Sequence, residues 1–137
     1  MGKEEIVFID ANIFLELILN DKKADICEIF LRKVENEEII AKTSDFILYT
    51  CLIKIEDKLK SKQSMQKFIS SINELGLDII RPSLKEIDEA IKISEKYKLD
   101  FDDSLVVSCM INNNIKRLIS FDKDFDKIKI IKRTEPF

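Results

Sequence analysis

Two acidic residues stand directly after apolar stretches that lie far apart in the sequence. Asp10 follows Ile6–Ile9, with Asn12 two residues further on, and Asp122 follows Leu118–Phe121. Both stretches are short, and the first is an unbroken β-branched and aromatic run, typical of a strand buried in a parallel sheet. Open α/β sheets bind their ligands at the carboxyl ends of the strands. The pattern therefore places two carboxylates where an α/β protein does its chemistry.

A third group of carboxylates opens the helix that we predict before the second of these strands. Asp100, Asp102 and Asp103 lie at its start. Such a helix runs antiparallel to the strand that follows it, so its N-terminus points to the same edge of the sheet. We therefore expect Asp10, Asp103 and Asp122 to gather there. Crowded carboxylates repel one another unless a cation lies between them, and Mg²⁺ or Mn²⁺ is the cation that oxygen ligands favour.

A structural role is the alternative for each of these residues taken alone. Aspartate is a favoured helix N-cap, because its carboxylate accepts a hydrogen bond from a free backbone N–H. Asp10 would cap the first predicted helix, Asp102 or Asp103 the sixth, and Asp122 a single turn after the last long strand. The functional interpretation depends on all of them meeting at one edge.

The elements that must position these side chains alternate between strand and helix, with no internal repeat and no linker. This order predicts right-handed crossovers and a parallel sheet covered on both faces. We expect one domain over residues 1–137, an α/β three-layer α/β/α sandwich with a four- or five-stranded parallel sheet. The predicted strands are Ile6–Ile9, Glu38–Ala41, Leu77–Ile80, Leu118–Phe121 and a short edge strand, Ile128–Ile131.

Helical periodicity and end signals place six helices between the strands. The first, Ile13–Leu19, is apolar almost all round and is either deeply buried or offers a face to a partner. The third is capped at Thr43–Asp45, the fourth ends at Gly76, and the fifth begins with a Ser83–Glu86 capping box. The predicted inner faces are Ile26, Ile29, Phe30 and Val34 on the second helix, Leu48, Leu52, Ile55 and Leu59 on the third, Met65, Phe68, Ile69, Ile72 and Leu75 on the fourth, and Leu84, Ile87, Ile91 and Tyr97 on the fifth.

Missing residue types exclude several kinds of chemistry. The chain has no histidine, which excludes His-assisted nucleophiles and two-His zinc sites. Two glycines are too few for a P-loop or a dinucleotide-binding turn. The three cysteines, Cys27, Cys51 and Cys109, have no metal-binding spacing and are interpreted as small buried hydrophobic residues. Carboxylates, hydroxyls, amides, lysines and a hard metal ion remain as reagents.

Charge and hydropathy bear on the expected partners and the expected cellular location of the protein. The net charge is −3, which does not indicate nucleic-acid binding. It does not exclude such binding either, because a bound cation neutralises carboxylates locally. No apolar run approaches the roughly 20 residues of a membrane span. The N-terminus lacks the pattern of a secretory signal. We expect a cytoplasmic protein without a membrane association.

Four segments together resemble a PIN domain. They are the apolar strand ending in Asp-x-Asn at Asp10, the segment KTSDFILYT, the segment YKLDFDDSLVVSCM, and LISFDKDF near the C-terminus. Nearly the whole chain is covered, and its size is similar to that of VapC-type toxins. The resemblance implies a small metal-dependent ribonuclease in which Asp10, Asp103 and Asp122 hold Mg²⁺ or Mn²⁺. Asn12 and Ser120 then take the family's polar positions beside these acids, and Asp102 lies next to them.

One position departs from the family pattern. The family's second acid falls at Thr50, whose hydroxyl carries no negative charge. Asp45 and Glu56 are the nearest acids, but their spacing turns them to other faces of the helix, and Asp57 lies about two turns further along. Three carboxylates instead of four predict weaker or more selective metal binding. Thr50 is then an accessory residue that hydrogen-bonds water in the site.

The resemblance also implies a reaction and partners. The ion would polarise a phosphodiester of RNA and activate water to cut it, leaving a 5′-phosphate. Lysine clusters at Lys54–Lys62 and Lys127–Arg133 could steer the phosphate backbone, although a solvated surface is the simpler interpretation for any one lysine. A homodimer and, for a toxin, a cognate antitoxin are implied as partners.

Two other functions remain open at this stage. Thr50 is compatible with a catalytically weakened PIN relative that binds RNA or a protein. The segment Phe8–Asn12 faintly resembles haloacid dehalogenase-type phosphatases, in which Asp10 would act as the nucleophile of phosphoryl transfer. Those sites need a well-placed lysine and usually a second aspartate where Asn12 stands, so the positions of Asp103 and Asp122 favour the nuclease.

Overall fold

The computed structural model describes residues 5–137, which form a parallel sheet flanked by helices. The strands are β1 (Ile6–Ile9), β2 (Ile40–Ser44), β3 (Asp78–Ile80), β4 (Arg117–Ile119) and β5 (Lys132–Thr134). The helices are α1 (Ala11–Ile18), α2 (Ala24–Glu35), α3 (Asp45–Leu59), α4 (Lys62–Leu75), α5 (Leu84–Tyr97) and α6 (Phe101–Asn112), and a 3₁₀ helix covers Lys123–Lys127. The predicted three-layer α/β/α sandwich is confirmed.

The sheet has the strand order β3-β2-β1-β4-β5, and all of its neighbouring strands are parallel. β1 lies at the centre, and its Ile9 is in register with Ile119 of β4. The backbone N–H of Asp10 continues this pairing by donating to the Ile119 carbonyl at 3.1 Å. The residues that follow β1 and β4 therefore leave the sheet side by side, as the strand pattern predicted.

The centre of the sheet is the core of the protein. Val7, Phe8 and Ile9 of β1 are all buried, and α6 is buried without interruption from Ser104 to Met110. α5 packs chiefly on α6, whereas α1 packs on α2 and α3, and α4 packs on α2 and α3. Cys27, Cys51 and Cys109 are buried and free, as predicted.

The edge strand was predicted at the wrong place. Ile128 and Ile131 are buried, but they lie in the loop after the 3₁₀ helix, and β5 begins only at Lys132. The apolar pattern of Ile128–Ile131 therefore reports burial against the core and not strand pairing. β2 and β4 are also displaced from their predicted bounds, since β2 runs on to Ser44 and β4 ends at Ile119.

The inner face of α5 was also predicted incorrectly in part. Leu84 is 83% exposed and Ile91 is 54% exposed, whereas Ala90 is fully buried and Ile87 is half-buried. α5 lies mainly on one neighbour, so it buries a narrow stripe centred on its small residue. The same correction applies to the exposed residues Ile26, Ile29, Leu59 and Ile69. The capping box of Ser83 and Glu86 is present as predicted.

α1 is buried on one side and only half-buried on another. Ile13 and Phe14 are buried, while Leu17 and Ile18 are half-buried and line, with Phe14, a groove of about 240 Å³ between α1, α2 and α4. No helix within residues 5–137 combines the length and the apolar character that a bilayer crossing requires.

A buried hydroxyl ties β2 to the end of β1 and provides a test of the sheet. Thr43 is fully buried, and its Oγ1 donates to the Ile9 carbonyl at 2.9 Å. Thr43→Val keeps the shape but leaves this carbonyl without that donor, which we expect to lower the free energy of unfolding by about 1–3 kcal/mol. Urea denaturation followed by circular dichroism measures the change. An unchanged midpoint would show that the bond contributes nothing.

Candidate metal centre

Asp10 caps α1 and also contacts the residues that follow β4. Its Oδ1 accepts the Ala11 N–H at 2.8 Å, which caps α1, and its Oδ2 accepts the Ser120 hydroxyl at 2.7 Å. The residue is only 7% exposed. Asp10 therefore has the capping role that the sequence offered, and its second oxygen links it to the residues after β4.

Ser120 connects the carboxylates of β1 and β4. Its Oγ donates to Asp10, and it accepts from the Asn12 side-chain amide at 3.2 Å and from the Asp122 N–H at 3.0 Å. A hydroxyl has one donor and two acceptor positions, so all of them are occupied. Asn12 in turn accepts the Phe121 N–H at 3.3 Å. Asn12 and Ser120 therefore link the Asp10 side chain to the backbone of the segment that carries Asp122.

One group of neighbouring carboxylates joins Asp103 of α6 to the segment after β4. Asp103, Asp122 and Asp124 each offer an oxygen, and these three oxygens lie within 4.8 Å of one another. Asp122 caps the 3₁₀ helix by accepting the Asp124 N–H at 2.9 Å. Asp124 was missed from the sequence, although the spacing Asp-x-Asp in LISFDKDF was the signal that could have found it.

A second group overlaps the first at Asp103. Oxygens of Asp100, Asp102 and Asp103 also lie within 4.8 Å of one another at the N-terminus of α6. Over residues 5–137, Asp10 belongs to neither group, but its charge acts on Asp103 and the charges of Asp122 and Asp102 act on it. Asp103 thus belongs to both groups, and these two groups together with Asp10 are called the acidic cleft below.

Crowding and burial change the acidity of these carboxyls. Burial raises the pKa of Asp103 to about 7, and the charges of Asp102, Asp122, Asp10 and Asp100 act in the same direction. Burial also raises the pKa of Asp10, although the hydrogen bonds from Ser120 and Ala11 oppose this. Carboxylate oxygens that repel one another at this spacing are suitable ligands for a hard divalent cation such as Mg²⁺ or Mn²⁺.

Thr50 lies in the part of α3 that passes near Asp10. It is half-buried in α3, next to Cys51, whose thiol lies 3.8 Å from the Ala11 carbonyl. Burial raises the pKa of Cys51 to about 12, and the charge of Asp10 adds to this effect, which shows that α3 passes close to that carboxylate.

The acids nearest to Thr50 in sequence are engaged elsewhere. Asp45 lies 3.5 Å from Arg81, Asp57 lies 3.8 Å from Lys60, and Glu56 pairs with Lys62. None of these three acids occupies position 50, where the resemblance places the family's second acid.

The basic residues beside the segments that carry these carboxylates include Lys23, which the sequence did not single out, and Lys127 and Arg133, which it did. The Lys23 ammonium lies 4.2 Å from the centroid of the Phe121 ring, which directly precedes Asp122. Lys127 donates to the Lys98 carbonyl at 3.2 Å and so joins the 3₁₀ helix to the turn before α6. Arg133 is only 12% exposed and is bound to Asp126, so it is not a free phosphate-steering residue.

Comparisons with known proteins identify the family and the fold of this chain. The family model described as "PIN domain" matches residues 7–131. Among solved structures, the chain is similar to VapC20 of Mycobacterium tuberculosis, titled a Sarcin-Ricin loop cleaving toxin, with a TM-score of 0.79 and 13% identity over 95% of this chain and 99% of that one. No curated protein matches the sequence.

Two further solved structures come from toxin–antitoxin assemblies. One is a toxin-antitoxin complex from Klebsiella pneumoniae, with a TM-score of 0.70 and 16% identity over 96% of this chain and 98% of that chain. The other is VapBC2 from Rickettsia felis bound to a DNA fragment from its promoter, with a TM-score of 0.69 and 20% identity over 95% and 98%. At these identities the likeness shows a shared fold.

Proposed function

Since this chain belongs to the PIN-domain family, we propose that it is a metal-dependent ribonuclease that hydrolyses RNA phosphodiester bonds. The observation that carries the proposal is the meeting of Asp103, Asp122 and Asp124 oxygens within 4.8 Å, beside the buried Asp10. Side chains from α6, from the residue that follows β1 and from the segment after β4 come together there, although they are far apart in sequence. Helix capping accounts for Asp10 and Asp122 singly but not for their convergence with Asp103.

Each residue of the cleft has a defined part in this proposal. Asp103, Asp122 and Asp124 would hold Mg²⁺ or Mn²⁺, with Asp10 at the inner end and Asp102 at the exposed end. The ion, when bound, supplies positive charge and Lewis acidity to the scissile phosphate. Ser120 fixes the orientation of the Asp10 carboxylate, since its hydroxyl donates to Oδ2 at 2.7 Å. Asn12 restrains the backbone at Phe121, directly before Asp122.

The direct test is cleavage of mixed RNAs by the purified protein in Mg²⁺, Mn²⁺ or chelator. We expect cleavage with the metals, none with chelator, and products that carry a 5′-phosphate. Asp103→Asn should be inactive, whereas the control Asp57→Asn, at an exposed carboxylate near the end of α3, should cleave like wild type. Equal degradation by wild type and Asp103→Asn would show that the activity comes from another source.

A catalytically weakened relative that binds RNA or a protein is the second candidate, and Thr50 is the observation that favours it. Thr50→Glu adds the acid that the family carries, close to the Asp10 end of the cleft. More carboxylate ligands tighten divalent-ion sites, so we expect this variant to bind Mn²⁺ about 10-fold more tightly and to cleave RNA faster. The matched control is Thr50→Gln, which has the same shape without the charge. An equal gain in both variants would contradict the charge argument.

Nucleophilic catalysis by Asp10 has less support. The carboxylate is buried, and each of its oxygens already accepts a hydrogen bond. Attack on a phosphate would require one of these bonds to break. Mass spectrometry of the protein after incubation with a phosphate donor provides the test, since an acyl-phosphate on Asp10 would favour phosphoryl transfer over the nuclease.

We also propose an antitoxin protein and a second copy of the chain as partners. Two of the similar structures are toxin–antitoxin assemblies, and the groove on α1 offers an apolar surface. An antitoxin should suppress RNA cleavage at equal stoichiometry and should lose this effect against Leu17→Glu, which places a charge in the groove. Light scattering after size exclusion should report a mass of two chains, and a mass of one chain would contradict the homodimer.

A further inference from the structure

The Arg133 side chain of β5 makes three hydrogen bonds to the segment after β4. Its Nε donates to Asp126 Oδ1 at 2.8 Å, its Nη2 to Asp126 Oδ2 at 3.3 Å, and its Nη1 to the Ser120 carbonyl at 3.0 Å. The hydrogen bonds from Arg133 also hold the pKa of the Asp126 carboxyl below its usual range. The guanidinium thus uses its planar fork on one carboxylate and one backbone oxygen.

These contacts fix both ends of one short segment. Ser120 stands at its start and Asp126 near its end, and Asp122 and Asp124 lie between them. The Ser120 N–H also donates to the carbonyl of Thr134, which lies in β5, at 3.1 Å. The backbone N–H and the carbonyl of Ser120 are therefore both bound to β5, one by main chain and one by Arg133.

The position of Ser120 determines that of the carboxylates around it. Its hydroxyl contacts Asp10 and the Asp122 N–H, and Asp122 in turn accepts from the Asp124 N–H. A shift of the Ser120 peptide would move Asp10 and Asp122 relative to each other. Groups behind metal ligands act in this way in other sites, and their loss costs about 10- to 100-fold in metal affinity.

We infer that Arg133 and Asp126 form a clamp that positions the metal centre, by holding residues 120–126 in the conformation that brings Asp122 and Asp124 to Asp103. The inference rests on the proposed function and assigns Arg133 a positioning role, because its side chain binds protein groups on both sides. The sequence alone grouped Arg133 with surface lysines that attract phosphate.

The test compares Arg133→Lys with Arg117→Lys. Lysine keeps the charge but cannot donate to both Asp126 oxygens and the Ser120 carbonyl at once. Arg117 is a matched control. It is the first residue of the adjacent strand β4, at the end away from Ser120, and it pairs with Glu5 at 3.0 Å. Free Mn²⁺ measured by electron paramagnetic resonance should show about 10-fold weaker binding for Arg133→Lys and less than twofold change for Arg117→Lys. Asp126→Asn, at an exposed carboxylate, should weaken Mn²⁺ binding in the same direction.

Hydrogen exchange of the metal-free protein separates the clamp from general stability and from the proposed activity. We expect faster exchange in residues 120–127 of Arg133→Lys and Asp126→Asn, with unchanged exchange in β1. Unchanged exchange in that segment, or equally faster exchange throughout the chain, would overturn the clamp. If wild type cleaves no RNA but the selective exchange is seen, the proposed function fails and the clamp stands. If wild type cleaves RNA and both variants bind Mn²⁺ like wild type, the clamp fails and the function stands.

Discussion

Asp10→Asn is expected to reduce RNA cleavage by about 10³-fold while the fold is retained, the scale seen when one key electrostatic group is removed from an active site. Asparagine is as good an N-cap as aspartate, and its oxygen can still accept the Ala11 N–H. The change removes the negative charge at the inner end of the cleft and replaces one oxygen by an amide that the Ser120 hydroxyl cannot donate to. Initial rates on a fluorescent RNA, with circular dichroism of the same samples, measure both effects.

Asp21→Asn provides a matched control for this variant. Asp21 also accepts the N–H of the following residue, Lys22, at 3.0 Å, but it is exposed and lies in the turn after α1. We expect its rate to equal that of wild type. Activity of Asp10→Asn within about tenfold of wild type would mean that the charge of Asp10 is not part of the catalytic site, since losses of key groups exceed that scale.

Metal binding is expected to produce the second large effect, on thermal stability. A ligand that binds only the folded state at about 100 times its Kd adds roughly 2.7 kcal/mol. In a domain of this size about 1 kcal/mol shifts the Tm by roughly 4 °C, so saturating Mn²⁺ should raise the Tm of wild type by about 10 °C. Chelator should reverse the shift. Differential scanning calorimetry at about pH 8, above the pKa of about 7 of Asp103, measures it.

Asp103→Asn should change both the Tm of the metal-free protein and the Tm shift that Mn²⁺ produces. Asp103 is partly buried among Asp100, Asp102 and Asp122, and its charge is repelled by theirs. Without metal we therefore expect this variant to be more stable than wild type, with a Tm higher by about 4 °C. With Mn²⁺ its Tm should not move. Asp88→Asn, at an exposed carboxylate paired with Lys92 on α5, should behave like wild type in both conditions. A metal-free Tm of Asp103→Asn below that of wild type would contradict the crowding of charge in the cleft.

The sequence was sufficient for features that depend on neighbouring residues. The unbroken apolar run Ile6–Ile9 predicts a central strand, and the structure has β1 at those residues. Ser44 and the Ser83–Glu86 box predict helix starts, because a cap is a contact over three residues, and both are present. The strand–helix alternation was also sufficient for the parallel sheet, since each crossover has one favoured hand.

Features that depend on long-range pairing were decided only by the tertiary structure. Ile128–Ile131 has the apolar pattern of a strand, but the edge of the sheet is occupied by Lys132–Thr134, where charged side chains can face solvent on one side. Exposed Leu84 and Ile91 show the same limit, because periodicity predicts an apolar stripe but not which part of it a neighbour covers.

By itself the sequence determined that carboxylates would stand at one edge of a parallel sheet, because the ends of strands and helices follow from local composition. It could not determine which oxygens meet, since Asp124 joins Asp103 and Asp122 only through the turn after β4. It also could not distinguish Arg133 from the surface lysines near it, because the partners of Arg133 lie 7 and 13 residues away. Such contacts form only when the register between β4 and β5 is set, and register depends on the packing of the whole sheet.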